Sequence, residues 1–249
     1  MHDKITHDKH SLQVWLSHIT AVSADTLENT RRLLSASENT RFDRIKSQLK
    51  RTEYLHSRTL IRQVLTHNFG FPLEYWSVIE QTQSAPLIEN IPCSRFYSLS
   101  HSQGLIALSI AQFPNGIDVE STTKARDINR LFEFGFSQEE IRTIKHQPGN
   151  LQEKFYRLWC AKEAWYKALA PEEQAATNLY DLSYRNLITP NTHWHLYETQ
   201  LPQYQLSVVT SEKPRDIILN YQHFNLSSPD NINFYHYADA AHQFTEPTE

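Results

Sequence analysis

Glycine and cysteine are scarce in this sequence of 249 residues, which contains 5 Gly and 2 Cys against 11 Pro. The glycine motifs GxxxxGK(S/T) and GxGxxG do not occur, and so few glycines argue against a phosphate site built on a glycine-rich loop. The two cysteines, Cys93 and Cys160, are too few for a disulfide framework. This usage is typical of a reducing compartment.

Long hydrophobic runs are also missing from the sequence. No stretch approaches the ~18 consecutive apolar residues of a membrane span, and the polar residues 1–10 predict no secretory signal. With 39% hydrophobic and 21% charged residues, the composition is that of a globular chain. We therefore predict a cytoplasmic protein with no membrane association.

The overall charge is weakly acidic, with a formal net value of -4, which gives no reason to expect a nucleic acid partner. Locally the balance differs, because nine Arg or Lys residues accompany only three acidic residues between Arg31 and Arg62. Such a run is either a solvated helix face or a basic surface for an acidic partner.

The pattern of apolar residues indicates a mixed α+β chain. Three- and four-residue spacing predicts helix from Ser37 to Phe69, and further helices are expected over 137–146 and 151–169. Alternating or apolar runs predict strands at 96–99, 105–111, 117–120, 194–198, 205–210 and 216–224. The break at residues 114–116 suggests a boundary between a first subdomain, 1–113, and a second, 114–249, with a polar tail after about residue 237.

Two acidic residues stand at alternate positions of one predicted strand, at Asp118 and Glu120. Because side chains alternate along a strand, both carboxylates face the same side. An isolated pair of this kind is usually the wet face of a half-buried strand. If a third oxygen ligand lay close by, a cation such as Mg²⁺ would relieve the repulsion between the two carboxylates.

The helix predicted over 151–169 carries an unusual lysine. Lys162 falls inside its apolar stripe, where an ammonium group either extends to water or pairs with a buried anion. Glu163 and Lys167 are four residues apart, and on a surface such a pair contributes only about 0.3–0.5 kcal/mol. Beside a metal-bound phosphate, the same pair would supply a ligand and a positive charge.

Four segments together resemble the signatures of 4'-phosphopantetheinyl transferases. Residues 116–120 and 159–167 resemble the paired GIDxE and WxxKEAxxK motifs, in the order and at the separation found in the Sfp-type, single-chain branch. Residues 96–102 are similar to the FxxSHS motif, and residues 57–62 to the small-R-x-LLR helix. The resemblance covers about residues 41–169.

The resemblance implies a reaction. A member of this family transfers the 4'-phosphopantetheine group of coenzyme A to a serine of an apo acyl or peptidyl carrier protein and releases adenosine 3',5'-bisphosphate. It would require Mg²⁺, with Mn²⁺ as an alternative ion. The implied fold is α+β, with two similar α+β subdomains in a pseudo-twofold arrangement, a cleft between them as active site, and a monomeric state.

The resemblance also assigns roles to individual residues. Asp118, Glu120 and Glu163 would hold the metal ion, with Glu163 also as the candidate base and Lys167 as the second catalytic residue. The phosphates of coenzyme A would be bound by a set of basic and hydroxyl side chains: Arg41, Arg58, Ser100, His101, Lys162 and Lys167. Arg58 and Arg62 could equally be structural partners at the subdomain interface.

The sequence departs from the family pattern in two places. Residues 84–86 read Ser-Ala-Pro where Gly-Lys-Pro is usual, so a lysine expected near the 3'-phosphate is missing, and either the basic helix around Arg41 compensates or coenzyme A binds more weakly. Residues 170–173 replace a Gly-x-Gly-Leu stretch, so the lip that receives the carrier protein would differ.

Two rival functions use part of the same residues. A metal-dependent nuclease also combines acids with a lysine, but it places them as ExK on a strand rather than four apart on a helix. A carrier-binding protein without catalysis would fit the missing lysine, although the presence of all three acids and Lys167 speaks against it.

Overall fold

The structure is a computed structural model, which describes residues 10–20, 23–81, 85–123, 126–189, 193–222 and 234–236. The helices are α1 (Ala24–Arg31), α2 (Ala36–Arg44), α3 (Gln48–Phe69), α4 (Ile128–Gly135), α5 (Gln138–His146), α6 (Leu151–Ala168), α7 (Pro171–Ala176) and α8 (Tyr184–Ile188). The strands are β1 (Ser11–His18), β2 (Val78–Ile79), β3 (Leu87–Ile88), β4 (Phe96–Ser102), β5 (Leu105–Ala111), β6 (Asn115–Ser121), β7 (His195–Leu201), β8 (Tyr204–Thr210), β9 (Asp216–Gln222) and β10 (Phe234–His236).

The helix predicted between Ser37 and Phe69 is two helices, α2 and α3. The chain leaves α2 at Ile45, whose backbone is extended (φ -78, ψ 115), and the side chain of Ser47 caps the start of α3. This interruption was not predicted, because the apolar spacing continues across it. The expected α5 and α6 are confirmed, and α5 begins with a capping box between Ser137 and Glu140.

The strands form two main sheets, which confirms the mixed α+β class. The first sheet has the order β10-β9-β1-β5-β4, and the second has the order β6-β8-β7. β1 pairs antiparallel with β5 and parallel with β9, so a strand from the second half of the sequence enters the first sheet. Strand β9 was predicted as far as residue 224, but residues 223 and 224 lie outside the described part of the chain.

The two halves have a similar order of elements, apart from the short strands β2 and β3, which occur between α3 and β4 in the first half alone among the described residues. In the first half, β1 is followed by helices and then by the hairpin β4-β5, and the strands lie in the order β1-β5-β4. In the second half, β6 is followed by helices and then by the hairpin β7-β8, in the order β6-β8-β7. The pseudo-twofold relation and the boundary near residue 113 stay predictions.

Apolar side chains from both sheets form one core between them. This core joins residues of β1 and β5 with residues of β6 and β8, among them Leu12, Val14, Leu105, Ile117 and Leu206. On the outer faces, α3 packs against β1 and β5, and α6 packs against the second sheet. The layers therefore follow the order α3, first sheet, second sheet, α6.

Serine hydroxyl groups join the two sheets where β4 meets β6. The hydroxyl oxygens of Ser98, Ser100 and Ser102 accept the backbone N–H groups of Ile117, Val119 and Ser121 at 3.1, 3.2 and 3.0 Å. β6 is an edge strand, so its outer N–H groups have no neighbouring strand of their own sheet to bond. The three serine hydroxyls satisfy these N–H groups instead. They fix β4 and β6 side by side in a single register.

Gly116 allows α6 to lie directly on β6. A Cβ atom at this position would lie 2.0 Å from the carbonyl oxygen of Ala164 and 2.5 Å from the backbone nitrogen of Ala168. Only a glycine leaves room for such a close approach of two backbones. The contact places one turn of α6 over the neighbouring carboxylates of β6.

Candidate active site

A cleft of about 660 Å³ opens between α3, β4 and α6. Its walls bring together residues that are far apart in the sequence, among them Arg41, Lys50, Arg58, His101, Glu163 and Lys167. Four of these six side chains are Arg or Lys, so the cleft suits an anionic ligand.

Asp118 of β6 is held by one ammonium group and one hydroxyl group. The Nζ atom of Lys167 lies 2.7 Å from its Oδ1 atom, and the hydroxyl of Ser100 donates to the same oxygen at 2.7 Å. The second oxygen, Oδ2, is buried and has no hydrogen-bond partner. Buried carboxylate oxygens normally have partners, and the buried thiol of Cys160 lies close to this carboxylate, whose charge helps to raise the pKa of the thiol.

Glu120 is held in a matching way two residues further along β6. The hydroxyl of Ser102 donates to its Oε2 atom at 2.9 Å, and the guanidinium group of Arg126 donates to the same atom at 2.7 Å. Each carboxylate of the strand therefore has one serine from β4 and one cation. The prediction that both acids share a face of β6 is confirmed.

Glu163 of α6 is the third carboxylate of the cluster. Burial raises its pKa from 4.5 to about 7; Lys167 opposes this rise, and the charges of Asp118 and Glu120 add to it. Glu163 lines the same cleft as Lys167. A carboxyl group with a pKa near neutrality can both take up and release a proton at physiological pH.

Lys167 is the cation shared by this cluster. Burial works against its charged form, but the carboxylates of Asp118 and Glu163 outweigh this effect and hold its pKa above the ordinary value. Its Nζ atom also donates to Ser100 at 3.2 Å, and its side chain is 27% exposed. The ammonium group is therefore permanently charged and accessible from the cleft.

Ser100 and His101 lie on opposite faces of β4. The hydroxyl of Ser100 donates to Asp118 and accepts bonds from Lys167 and from the backbone of Val119. Because a hydroxyl has one proton and two lone pairs, these bonds use its full capacity. Ser100 thus positions Asp118, and this differs from the expectation that it binds a phosphate.

His101 does line the cleft, as the sequence predicted for a ligand-binding residue. Its pKa lies below the ordinary value because of burial, and the nearby charges of Lys50, Lys167 and Arg58 favour the neutral form further, with Glu53 opposing them. A neutral imidazole can still donate one hydrogen bond to an anionic oxygen.

Arg41 and Arg58 share one acidic partner, Glu80. Arg41 contacts it at 2.6 Å with a side chain that is 52% exposed, whereas Arg58 contacts it at 2.5 Å and is almost fully buried. Burial works to raise the pKa of Glu80, but Arg58, Tyr54 and Arg41 outweigh this effect and hold the pKa below its ordinary value. Arg58 is therefore a buried part of the cleft wall, and Arg41 lines the cleft with a more exposed side chain.

Lys162 is not brought to the cleft. Its side chain is 1% exposed and lies 2.8 Å from Oε2 of Glu140 on α5, above the ring of Phe136. Glu140 also accepts the backbone N–H of Tyr184 at 3.0 Å, so it links α5, α6 and the start of α8. The lysine in the apolar stripe therefore pairs with a buried anion, which differs from the expectation that it clamps a phosphate.

Two side chains of the site were not predicted from the sequence. Lys50 lines the cleft and pairs with Glu53 at 2.5 Å, and Arg126 contacts Glu120. Lys50 was counted in the basic run between Arg31 and Arg62 but was not singled out. Arg126 stands alone in a connecting segment, where no periodic pattern identifies a partner.

The residue types of the acid cluster fit a divalent metal ion, although the oxygens are not arranged to bind one as they stand. Within the described ranges, no group of three acidic, histidine or cysteine side chains is placed so that it could hold a metal ion. Asp118 and Glu120 each give one oxygen to a cation.

Among the helices of the described ranges, none is both long and apolar enough to cross a membrane.

The fold and the cleft define an α+β protein with a basic site beside a carboxylate cluster, an arrangement suited to phosphorylated ligands. Comparison with known proteins agrees with this. Residues 114–222 match the model of the 4'-phosphopantetheinyl transferase superfamily. The matching segment, which contains β6, α6 and the acid cluster, is thus similar to this superfamily.

Curated relatives carry the same family name. The chain is 28% identical over 142 residues to the 4'-phosphopantetheinyl transferase psf-1 of Bacillus pumilus, a match that spans 57% of this chain and 60% of that protein. It is 26% identical over 147 residues to the 4'-phosphopantetheinyl transferase HetI of a Nostoc species, covering 57% of this chain and 62% of that protein. The chain therefore spans about three-fifths of the length of these relatives.

Proposed function

We propose that this protein transfers the 4'-phosphopantetheine group of coenzyme A to a serine of an apo acyl or peptidyl carrier protein. The products would be the holo carrier protein and adenosine 3',5'-bisphosphate. The observation that carries this proposal is the convergence of Lys167, Glu163, His101 and the arginines of α2 and α3 in one cleft next to Asp118 and Glu120.

Mg²⁺ fits the acid cluster by the chemistry of its donors. Asp118 offers a buried oxygen without a partner, and Glu120 and Glu163 add two more carboxylates of the kind that Mg²⁺ prefers. When bound, the ion would neutralise charge on the diphosphate of coenzyme A. Mn²⁺, with similar oxygen ligands, would be the alternative ion.

The residues of the chain would bind and orient the reacting groups. Lys167 and His101 would hold diphosphate oxygens, while Arg41 would reach the phosphates nearer the mouth of the cleft. Glu163 would accept the proton of the carrier serine, because its raised pKa makes it a base suited to neutral pH. The serine oxygen then bonds to the phosphorus that carries pantetheine, and the bond from that phosphorus to the bridging oxygen of the nucleotide breaks.

The proposal includes the partner and the assembly. The carrier protein would be acidic and would meet the basic side chains of α2 and α3, since complementary charge speeds encounter. We expect a single-chain, Sfp-type enzyme that acts as a monomer in the cytoplasm, with two similar subdomains about a pseudo-twofold axis.

A direct test is mass spectrometry of apo carrier proteins after incubation with this protein, coenzyme A and Mg²⁺. The panel should contain fatty-acid, polyketide, peptide-synthetase and lysine-pathway carriers. A gain of one phosphopantetheine on any of them supports the proposal. No gain on any carrier, with a known transferase active on the same panel, would overturn it.

A further inference from the structure

Arg126 is a charged residue of the site to which neither a sequence motif nor the proposed chemistry gives a role. It lies between β6 and α4, and its side chain is 19% exposed. One nitrogen donates to Oε2 of Glu120 at 2.7 Å, and its guanidinium carbon lies 5.9 Å from the centre of the ring of Tyr156, which is fully buried. These contacts hold it against the inner face of the acid cluster.

The two carboxylates of β6 are neutralised from within the chain. Lys167 and Ser100 bind one oxygen of Asp118, and Arg126 and Ser102 bind one oxygen of Glu120. At each carboxylate both donors meet on one oxygen, Oδ1 of Asp118 and Oε2 of Glu120. At Glu120 one of the two donors is the guanidinium group of Arg126.

A divalent ion on either oxygen of Glu120 would lie close to the guanidinium group that binds Oε2. Two positive charges on one carboxylate repel each other, and the repulsion is strong where burial keeps water away. The charge of Arg126 therefore lowers the affinity of Glu120 for the ion. An anionic ligand in the cleft would lower this cost because it adds negative charge.

We propose that Arg126 is a positioning residue that competes with the divalent ion for Glu120. It keeps the carboxylate in place and makes the ion bind weakly by itself, so that tight metal binding depends on a second, anionic ligand. This inference rests on the metal assignment within the proposed function, and it concerns binding alone, so it can be tested without a carrier protein.

The test is a titration of the full chain, free of coenzyme A, with Mn²⁺ followed by electron paramagnetic resonance. We expect Arg126→Gln to bind Mn²⁺ alone about tenfold more tightly than the parent protein, the factor for one charge-assisted hydrogen bond. The matched control is Arg130→Gln, which removes the same charge from an exposed residue of α4 and should leave the affinity unchanged. Added coenzyme A should tighten Mn²⁺ binding more in the parent than in Arg126→Gln.

Arg126→Lys separates charge from packing. Because it retains the positive charge, its affinity for Mn²⁺ should remain nearer to that of the parent than to that of Arg126→Gln. Equal or weaker Mn²⁺ binding by Arg126→Gln, in a variant whose circular dichroism matches the parent, would overturn the inference. The transfer assay with the unmodified chain decides the proposed function separately, so either idea can fail alone.

Discussion

The ammonium group of Lys167 lies 2.7 Å from Oδ1 of Asp118, a contact that joins residues 49 positions apart in the sequence. It connects α6 to β6 and brings a permanent positive charge to the carboxylate cluster. The contact depends on Gly116, which lets the two backbones approach, and on Ser100, which donates to the same oxygen of Asp118.

Lys167→Met is expected to lower kcat for transfer about 100-fold, because it removes a cation that would face the charge developing on the phosphates. Lys46→Met serves as control, since it removes the same charge from an exposed residue outside the cleft. Rates with coenzyme A and a carrier protein measure the effect. Equal activity of Lys167→Met and the control would exclude the catalytic role of this lysine.

Asp118→Ala and Glu163→Ala are expected to abolish transfer without unfolding the chain. Each change removes one carboxylate proposed to hold the ion, and Glu163→Ala also removes the proposed base. Circular dichroism checks the fold, and mass spectrometry of the carrier protein checks the transfer. A transfer rate equal to that of the parent in either variant would refute the metal assignment.

Glu163 should make the stability of the protein depend on pH. Its pKa rises from 4.5 to about 7 on folding, so the folded state binds more protons than the unfolded state between these values. The free energy of unfolding therefore falls as pH rises through this window, by about 2 kcal/mol for a partly exposed group.

Glu163→Gln removes this dependence. Urea unfolding in buffer with a chelator should give the variant and the parent equal stability near the lower pH limit, and the variant higher stability above pH ~7. Glu153→Gln, an exposed position on the same helix, is the control and should follow the parent. A constant difference across the whole pH range would contradict the raised pKa.

Lys162→Met should affect stability rather than binding of coenzyme A. Removing one partner of a buried ion pair leaves Glu140 uncompensated and costs about 3 kcal/mol. The double variant Lys162→Met with Glu140→Gln should recover part of this loss. The KM for coenzyme A should equal that of the parent; a clearly higher KM in a folded variant would restore the phosphate-binding role expected from the sequence.

Gly116→Ala should be far more damaging than Gly135→Ala. The added methyl group at Gly116 meets backbone atoms of α6, whereas at Gly135 it meets the ring edge of Trp159, a side chain that can shift. We expect a loss of at least ~3 kcal/mol in unfolding free energy at Gly116 and a smaller one at Gly135. Chemical unfolding of the two variants side by side provides the measurement, and similar losses would contradict the close approach of α6.

The sequence predicted those parts of the site that depend on local geometry. The period of a strand placed Asp118 and Glu120 on one face, and helical spacing paired Glu163 with Lys167. In the structure, the charge of Lys167 acts on Glu163, and its ammonium group also contacts Asp118. These relations follow from backbone repeats and survive in any tertiary arrangement.

The parts that the sequence did not predict depend on distant partners. The partner of Lys162 comes from α5, 22 residues away, and the bonds of Ser100 come from a strand of the other sheet. Arg126 reaches Glu120 through the path of a connecting segment. In each case the side chain's role is set by which element packs opposite it, and no local pattern carries that information.

The parallel pairing of β1 with β9 has a consequence for synthesis on the ribosome. β1 leaves the exit tunnel early, yet one of its two flanking strands is translated only after α6 and β8. Until then, an apolar strand has an open flank that other nascent chains could join. A premature stop before residue 216 would leave that flank uncovered, so such fragments should be prone to aggregate.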